Sequence, residues 1–316
     1  MIIVTIKVNE QQEQRLKKAA KSNTIHFADR NKLTKEILSE AEVIIGNIPI
    51  SRLKDCRNLK WIQLNNAGAD DFASSRDLKP ETILTNSTGA YGPVIAEHML
   101  GMLFLLQKHL ISYYLHQRQR EWVAQGPPMV LEGKTVVLIG TGDIGSAFAG
   151  KVKALGCYTI GIKRRKAGQL AVFDELYTNE ELENILPRAD ILAMSLPQTR
   201  DTVSFLDQKR MALLKPSAIV INVGRGSAID TDSLVEALKY KRIAGAALDV
   251  TDPEPLPPEH PLWTMEQVII TPHIAGNYNV PETLDRIVDI AEDNLRRYLE
   301  NRPMRNVVDR DTGYCK

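Results

Sequence analysis

Six short apolar runs recur between residues 135 and 271, at 135–140, 158–162, 190–196, 218–223, 245–250 and 268–271. Helix-prone segments separate most of them. In 231–241, for example, Leu234, Val235 and Leu238 fall on one helical face. Strand–helix alternation on this scale predicts a parallel sheet with helices on both faces, a doubly wound α/β fold. Shorter runs at 2–8, 42–46, 59–64 and 82–85 carry the same pattern into the first hundred residues, with a charged, helix-prone segment at 10–21. A length of 316 residues suggests two domains or one large one.

Between the two sets of strands, 94–122 reads as one long helix that starts after Gly92-Pro93. Its 99–106 portion is apolar on nearly every face, so it should be covered on more than one side. It is either a core helix within one domain or one shared by a domain junction or a subunit interface. Gly126-Pro127-Pro128 ends the region as a loop. A last helix is expected at 281–301, where Leu284, Ile287, Val288, Ala291, Leu295, Tyr298 and Leu299 keep helical spacing.

The strongest local motif is Gly140-Thr141-Gly142-Asp143-Ile144-Gly145, set between a strand and a helix marked by Ile144, Phe148, Val152 and Leu155. Gly140 permits a tight turn, Gly142 removes a side chain where a pyrophosphate would approach, and Gly145 lets helix and strand pack closely. The helix N-terminus then offers N–H groups to the phosphates. At the end of the next strand, an acidic residue would suit the 2′-hydroxyl of NAD. The chain has Lys163-Arg164-Arg165 instead, with no carboxylate before Asp174, which favours the 2′-phosphate of NADP and leaves NAD as the alternative.

Composition narrows the partners. Lys+Arg total 40 and Asp+Glu 39, a formal net charge of +1, so no general charge draws the chain to nucleic acid or to an anionic membrane. Cys56, Cys157 and Cys315 form neither a zinc-type pair nor a disulfide framework, and no metal-ligand spacing occurs, so no metal is expected. Residues 1–8 have no basic leader and 99–106 is too short to span a bilayer. The expectation is a soluble, cytoplasmic protein.

Three further segments end predicted strands, where ligands bind in this architecture. They are Asn222-Val223-Gly224-Arg225-Gly226, Leu248-Asp249-Val250-Thr251-Asp252-Pro253-Glu254-Pro255 and Thr271-Pro272-His273-Ile274-Ala275-Gly276. Together with Asn66-Ala67-Gly68-Ala69-Asp70, Ala96-Glu97-His98, the glycine-rich turn and Leu196-Pro197-Gln198-Thr199, they make a chain that resembles the D-isomer-specific 2-hydroxyacid dehydrogenases nearly end to end.

The resemblance implies a Rossmann cofactor domain at 101–282 inserted into a smaller flavodoxin-like substrate domain, 1–100 plus 283–316, and a homodimer formed through the cofactor domains. The family's catalytic trio maps onto Arg225, Glu254 and His273. A 2-oxoacid presents a carboxylate beside a ketone. Arg225 offers a planar fork of donors to it, and His273 as imidazolium can protonate the ketone oxygen. Glu254 beside the ring would favour that protonated form. The backbone at Ala67 and Gly68 adds donors for the substrate carboxylate. Cofactor contacts are expected from Gly140, Gly142, Asp143, Ile144, Gly145, Lys163, Arg164, Arg165, Val223, Gly224 and Gly276. Asp249 is expected at the nicotinamide carboxamide, and Pro197 and Thr202 on the adenosine-ribose side.

The family pattern makes His98 structural, and His26, His109, His116 and His260 show no partner pattern. Thr251 and Asn277-Tyr278-Asn279 depart from the family and bear on substrate choice. The implied activity is reduction of glyoxylate or hydroxypyruvate to the D-2-hydroxyacid with NAD(P)H. The alternatives are D-3-phosphoglycerate dehydrogenation and a non-enzymatic, nucleotide-sensing corepressor.

Overall fold

The computed structural model describes residues 1–165, 168, 170–276, 278 and 280–315. It divides into two compact units, Met1–Tyr91 with Asn277–Lys316, and Gly92–Gly276.

The first unit is built on a five-stranded parallel sheet of order β2-β1-β3-β4-β5. Its strands are β1 (Ile2–Val4), β2 (Ile25–Phe27), β3 (Val43–Ile45), β4 (Trp61–Gln63) and β5 (Ile83–Thr85). Helices α1 (Glu10–Ala20), α2 (Lys35–Glu40), α3 (Asp70–Ser74) and the C-terminal helix (Pro281–Leu299) complete it. β1, β3 and β4 are buried at every residue, the pattern of strands covered on both faces. The C-terminal helix is fixed to the sheet by the buried Asn294, whose amide donates to Gln63 Oε1 at 2.8 Å. That bond, and a capping box from Asn9 and Gln12 at the start of α1, tie sequence-distant and local elements into one flavodoxin-like layer structure.

The second unit carries a seven-stranded parallel sheet of order β12-β11-β10-β9-β6-β7-β8. The strands are β6 (Thr135–Ile139), β7 (Tyr158–Lys163), β8 (Glu175–Thr178), β9 (Ile191–Met194), β10 (Ile219–Asn222), β11 (Gly245–Leu248) and β12 (Val268–Ile270). The order reverses at β6, as in dinucleotide-binding sheets. The helices are α4 (Gly92–Gln107), α5 (Leu110–Gln119), α6 (Asp143–Ala154), α7 (Leu182–Ile185), α8 (Gln208–Met211) and α9 (Thr231–Lys239), with the C-terminal helix of the first unit as α10. α4 lies against α6 and against β10, β11 and β12. That double cover accounts for its apolar character on nearly every side.

One expectation is corrected. The single helix at 94–122 is two helices bent by 62°. His109 takes a left-handed backbone, φ +54°, and the Gln107 carbonyl accepts from the Met129 N–H of the returning loop at 3.3 Å. Strands β2 and β8 went unpredicted. The compact units divide at 91/92 and 276/277, so α4 and α6, which pack together, belong to one unit. Among the described residues no single helix is long and apolar enough to cross a membrane.

Candidate active site

The glycine-rich turn forms as its spacing requires. Gly140 has φ +102°, and a Cβ there would stand 3.1 Å from the Ser195 carbonyl. A Cβ on Gly145 would collide with the Gly140 carbonyl. These two glycines are needed by the protein's own packing. Gly142 is different, because a Cβ there would meet nothing within 4 Å. It is the N-cap of α6 and has no side chain to cap the helix, whose first N–H groups have no partner within the helix itself. The turn therefore fits a pyrophosphate, which supplies the reason for glycine that the protein alone does not. Asp143 turns its carboxylate away, accepting from Gly92 N at 2.8 Å, and Ile144 follows it in α6.

The basic segment lies beside this turn. β6 and β7 are paired, Gly140 N donates to Ile162 O at 3.0 Å, and Lys163 ends β7. Arg164 and Arg165 follow it and are exposed. Pro197 sits in the loop after β9. Thr202, expected to line a ribose, is buried, and its hydroxyl donates to the Pro197 carbonyl at 2.7 Å while accepting from Thr199 N at 2.8 Å. It braces the loop that carries Pro197.

The three chemical side chains come from adjacent strand ends, β10, β11 and β12. After β10, a Cβ on Gly224 would lie 2.5 Å from Leu196 O, and one on Gly226 would collide with the Thr251 backbone. Only glycines on both sides let Arg225 pass between the neighbouring loops. Val223 continues the buried strand, and the Asn222 side chain clamps the turn by accepting from Gly224 N at 3.1 Å and donating to Arg225 O at 2.9 Å. Arg225 is half-buried, and its Nη1 donates to Gly224 O at 2.9 Å.

After β11, Glu254 stands between two prolines in a segment held by Thr231 Oγ1, which donates to Asp252 O at 3.0 Å, and by Thr251 Oγ1, which donates to Pro253 O at 2.9 Å. After β12, His273 Nδ1 lies 2.6 Å from Glu254 Oε1. Both side chains are exposed, at 46% and 41%, so the pair adds little to stability and acts instead by orienting the ring. With Nδ1 engaged by the carboxylate, Nε2 is left for a reactant.

His273 has φ +53°, a left-handed backbone that costs a non-glycine residue about 1–2 kcal/mol. Asp249 holds it there. The Asp249 carbonyl accepts from His273 N at 2.8 Å, Oδ1 from Ile274 N at 3.0 Å and Oδ2 from Ala275 N at 3.0 Å. The expectation set Asp249 toward a nicotinamide. In the structure the carboxylate is 2% exposed and engaged with the turn that carries His273 and ends at Gly276.

In the first unit, the loop after β4 presents the expected backbone donors. The Asn65 carbonyl accepts from the Tyr91 hydroxyl at 2.5 Å, Asn66 O from Ser87 N at 2.9 Å and Ala67 O from Asn86 Nδ2 at 2.6 Å. A peptide plane points its N–H opposite its carbonyl, so pinning Asn66 O and Ala67 O fixes the directions of the Ala67 and Gly68 N–H groups. Burial raises the Tyr91 phenol above its ordinary range, which keeps it a donor. Asn47 and Asn65 exchange side-chain-to-backbone bonds at 3.1 Å each way and lock the loops after β3 and β4 together. Asn47, Asn86, Ser87 and Tyr91 were not anticipated. The run Asn86-Ser87-Thr88 directly after a strand was the available signal.

Burial pushes the Cys56 and Cys157 thiols up to about 11, which makes them inert. Among the described residues no group of His, Cys, Asp or Glu is arranged to hold a metal. Asn277 and Asn279 lie outside the described residues.

The D-isomer specific 2-hydroxyacid dehydrogenase NAD binding domain model matches residues 100–275. The chain is 31% identical over 245 residues to a glyoxylate reductase from Thermofilum pendens, covering 75% of this chain and 71% of that one. A D-isomer specific 2-hydroxyacid dehydrogenase family protein from Aeromonas salmonicida superposes with a TM-score of 0.86 at 31% identity, over 98% of this chain and 99% of that one. An NADPH-dependent glyoxylate/hydroxypyruvate reductase from Sinorhizobium meliloti, solved with NADP and sulfate, gives 0.82 at 25% identity over 99% of both chains. The chain belongs to the D-isomer specific 2-hydroxyacid dehydrogenase family, NAD(P)-dependent oxidoreductases.

Proposed function

We propose that this dehydrogenase reduces a small 2-oxoacid of the glyoxylate or hydroxypyruvate type to the D-2-hydroxyacid, with NADPH as its preferred reductant. The observation that carries the reading is the His273–Glu254 pair at 2.6 Å, one strand end away from the glycine-framed Arg225. The reductases from Thermofilum pendens and Sinorhizobium meliloti support the substrate class.

A bound nicotinamide supplies the hydride. The residues of this chain do the rest. The guanidinium fork of Arg225 takes the carboxylate in two parallel bonds and polarises the adjacent ketone. His273 delivers the proton from Nε2 to the ketone oxygen, and in oxidation the neutral ring removes it. Glu254 holds the ring through Nδ1 and stabilises its positive form. The N–H groups of Ala67 and Gly68 are the first unit's own donors for a carboxylate. Gly142 and the start of α6 would hold the pyrophosphate. Arg164 and Arg165, with Lys163 before them, would pair with the 2′-phosphate, and Val223, Gly224, Pro197 and Gly276 would line the cofactor.

Cofactor choice tests the reading of the basic segment. A charge-assisted hydrogen bond to a 2′-phosphate contributes about 1.5–3 kcal/mol. That is roughly tenfold to more than hundredfold in affinity, less where side chains stay solvated. Steady-state rates with both cofactors should favour NADPH, and the preference should shrink at high salt. Arg164→Ala with Arg165→Ala should erase most of it while sparing NADH activity. Equal or better efficiency with NADH in the unmodified protein would remove the NADP assignment.

A further inference from the structure

We propose that His98 is a positioning residue for the catalytic imidazole, fixing from α4, through Thr271 and Asp249, the turn that carries His273. The inference rests on the reading of His273 as the proton donor.

The geometry sets the polarity of the network. The Thr271 hydroxyl donates to Asp249 Oδ1 at 2.5 Å. A hydroxyl has one hydrogen, so Thr271 Oγ1 can only accept from His98 Nε2, 3.0 Å away. His98 therefore carries its hydrogen on Nε2, and the order runs His98 to Thr271 to Asp249. Asp249 is the buried end, and its two oxygens receive the N–H groups of Ile274 and Ala275, the residues directly after His273. Without His98 the Thr271 oxygen loses the donor that fixes the direction of its hydroxyl toward Asp249. The carboxylate would then lose an oriented donor, and the left-handed turn at His273 would lose part of what holds it.

The other end of α4 strengthens the case. Its first residue, Gly92, donates its N–H to the carboxylate of Asp143, which begins α6 at the glycine-rich turn. One helix is thus bonded to the turn that fits the pyrophosphate at its start and to the proton-donor turn through His98.

The test compares His98→Leu, which removes the donor, with His98→Gln, whose side-chain amide can restore a donor near the position of Nε2. Thr271→Val, which keeps the shape and removes the hydroxyl, serves if His98→Leu does not fold. In His98→Leu and Thr271→Val, kcat for 2-oxoacid reduction should fall about tenfold to hundredfold, the scale of a slight misplacement of a reacting group. KM for cofactor and oxoacid should move less than about threefold, because neither side chain is placed on a ligand. Amide hydrogen exchange at Ile274 and Ala275 should speed up about tenfold or more, and His98→Gln should recover both exchange and kcat.

Unchanged exchange at Ile274 and Ala275 overturns the proposal, as does His98→Gln behaving like His98→Leu. Exchange needs no turnover. An unmodified protein that reduces no 2-oxoacid therefore counts against the dehydrogenase reading, while exchange still decides the role of His98.

Discussion

His273→Ala is expected to lower turnover about 10²–10⁴-fold, the usual worth of a positioned general acid, with NADPH affinity nearly unchanged. The side chain is 46% exposed and its partner is Glu254, so truncation opens no core cavity and leaves the fold intact. Of the cofactor groups assigned above, Gly276 shares the loop of His273, and the others come from the loops after β6, β7, β9 and β10. His273→Asn is the control for backbone effects, because asparagine tolerates the left-handed conformation that φ +53° imposes. It should be as inactive as alanine. Single-turnover rates and cofactor titration check both, and wild-type turnover in either variant removes His273 from the mechanism.

Arg225→Lys should lower both substrate affinity and rate, by roughly tenfold to more than hundredfold in kcat/KM. Lysine keeps the charge and loses the planar fork, so one of two parallel charge-assisted bonds to the carboxylate disappears. The backbone around position 225 is set by Gly224, Gly226 and the Asn222 clamp, none of which the substitution touches. A fall in efficiency is then a matter of donor geometry. Wild-type kinetics in Arg225→Lys would place the carboxylate elsewhere.

Both side chains were readable in the sequence because their signals are local. β6, the glycine-rich turn and α6 announce themselves through periodicity and glycine spacing within some twenty residues. Arg225, Glu254 and His273 each follow a mainly apolar strand. The edges were not legible. β2 is three residues with an exposed His26 at its centre, and β8, Glu175-Leu176-Tyr177-Thr178, is half-exposed along its length. Neither shows the unbroken apolar run of a central strand. The edge at β8 is fastened by a cluster of polar side chains, where the Arg188 guanidinium with the Tyr177 and Tyr158 hydroxyls holds the Glu175 carboxyl down at about 2.

The break between α4 and α5 was hidden for a related reason. No glycine or proline marks it, and the Gln107 carbonyl is taken by a loop more than twenty residues downstream. The support beneath the site is long-range in the same way. His98 and Thr271 are 173 residues apart, and the carboxylate of Asp249 meets the N–H groups of the His273 turn from 25 residues away. Local sequence carries the proposed reacting groups, and pairing across the sheet brings in the side chains that hold them.

The most direct measurement is the rate of NADPH oxidation by the full-length protein with glyoxylate, hydroxypyruvate, pyruvate and larger 2-oxoacids, with the hydroxyacid product resolved by chirality. The expected result is saturable turnover that is fastest with glyoxylate or hydroxypyruvate, gives the D-isomer wherever the product is chiral, and is lost in His273→Ala. Binding of NADPH without turnover of any 2-oxoacid, or formation of the L-isomer, would contradict the account.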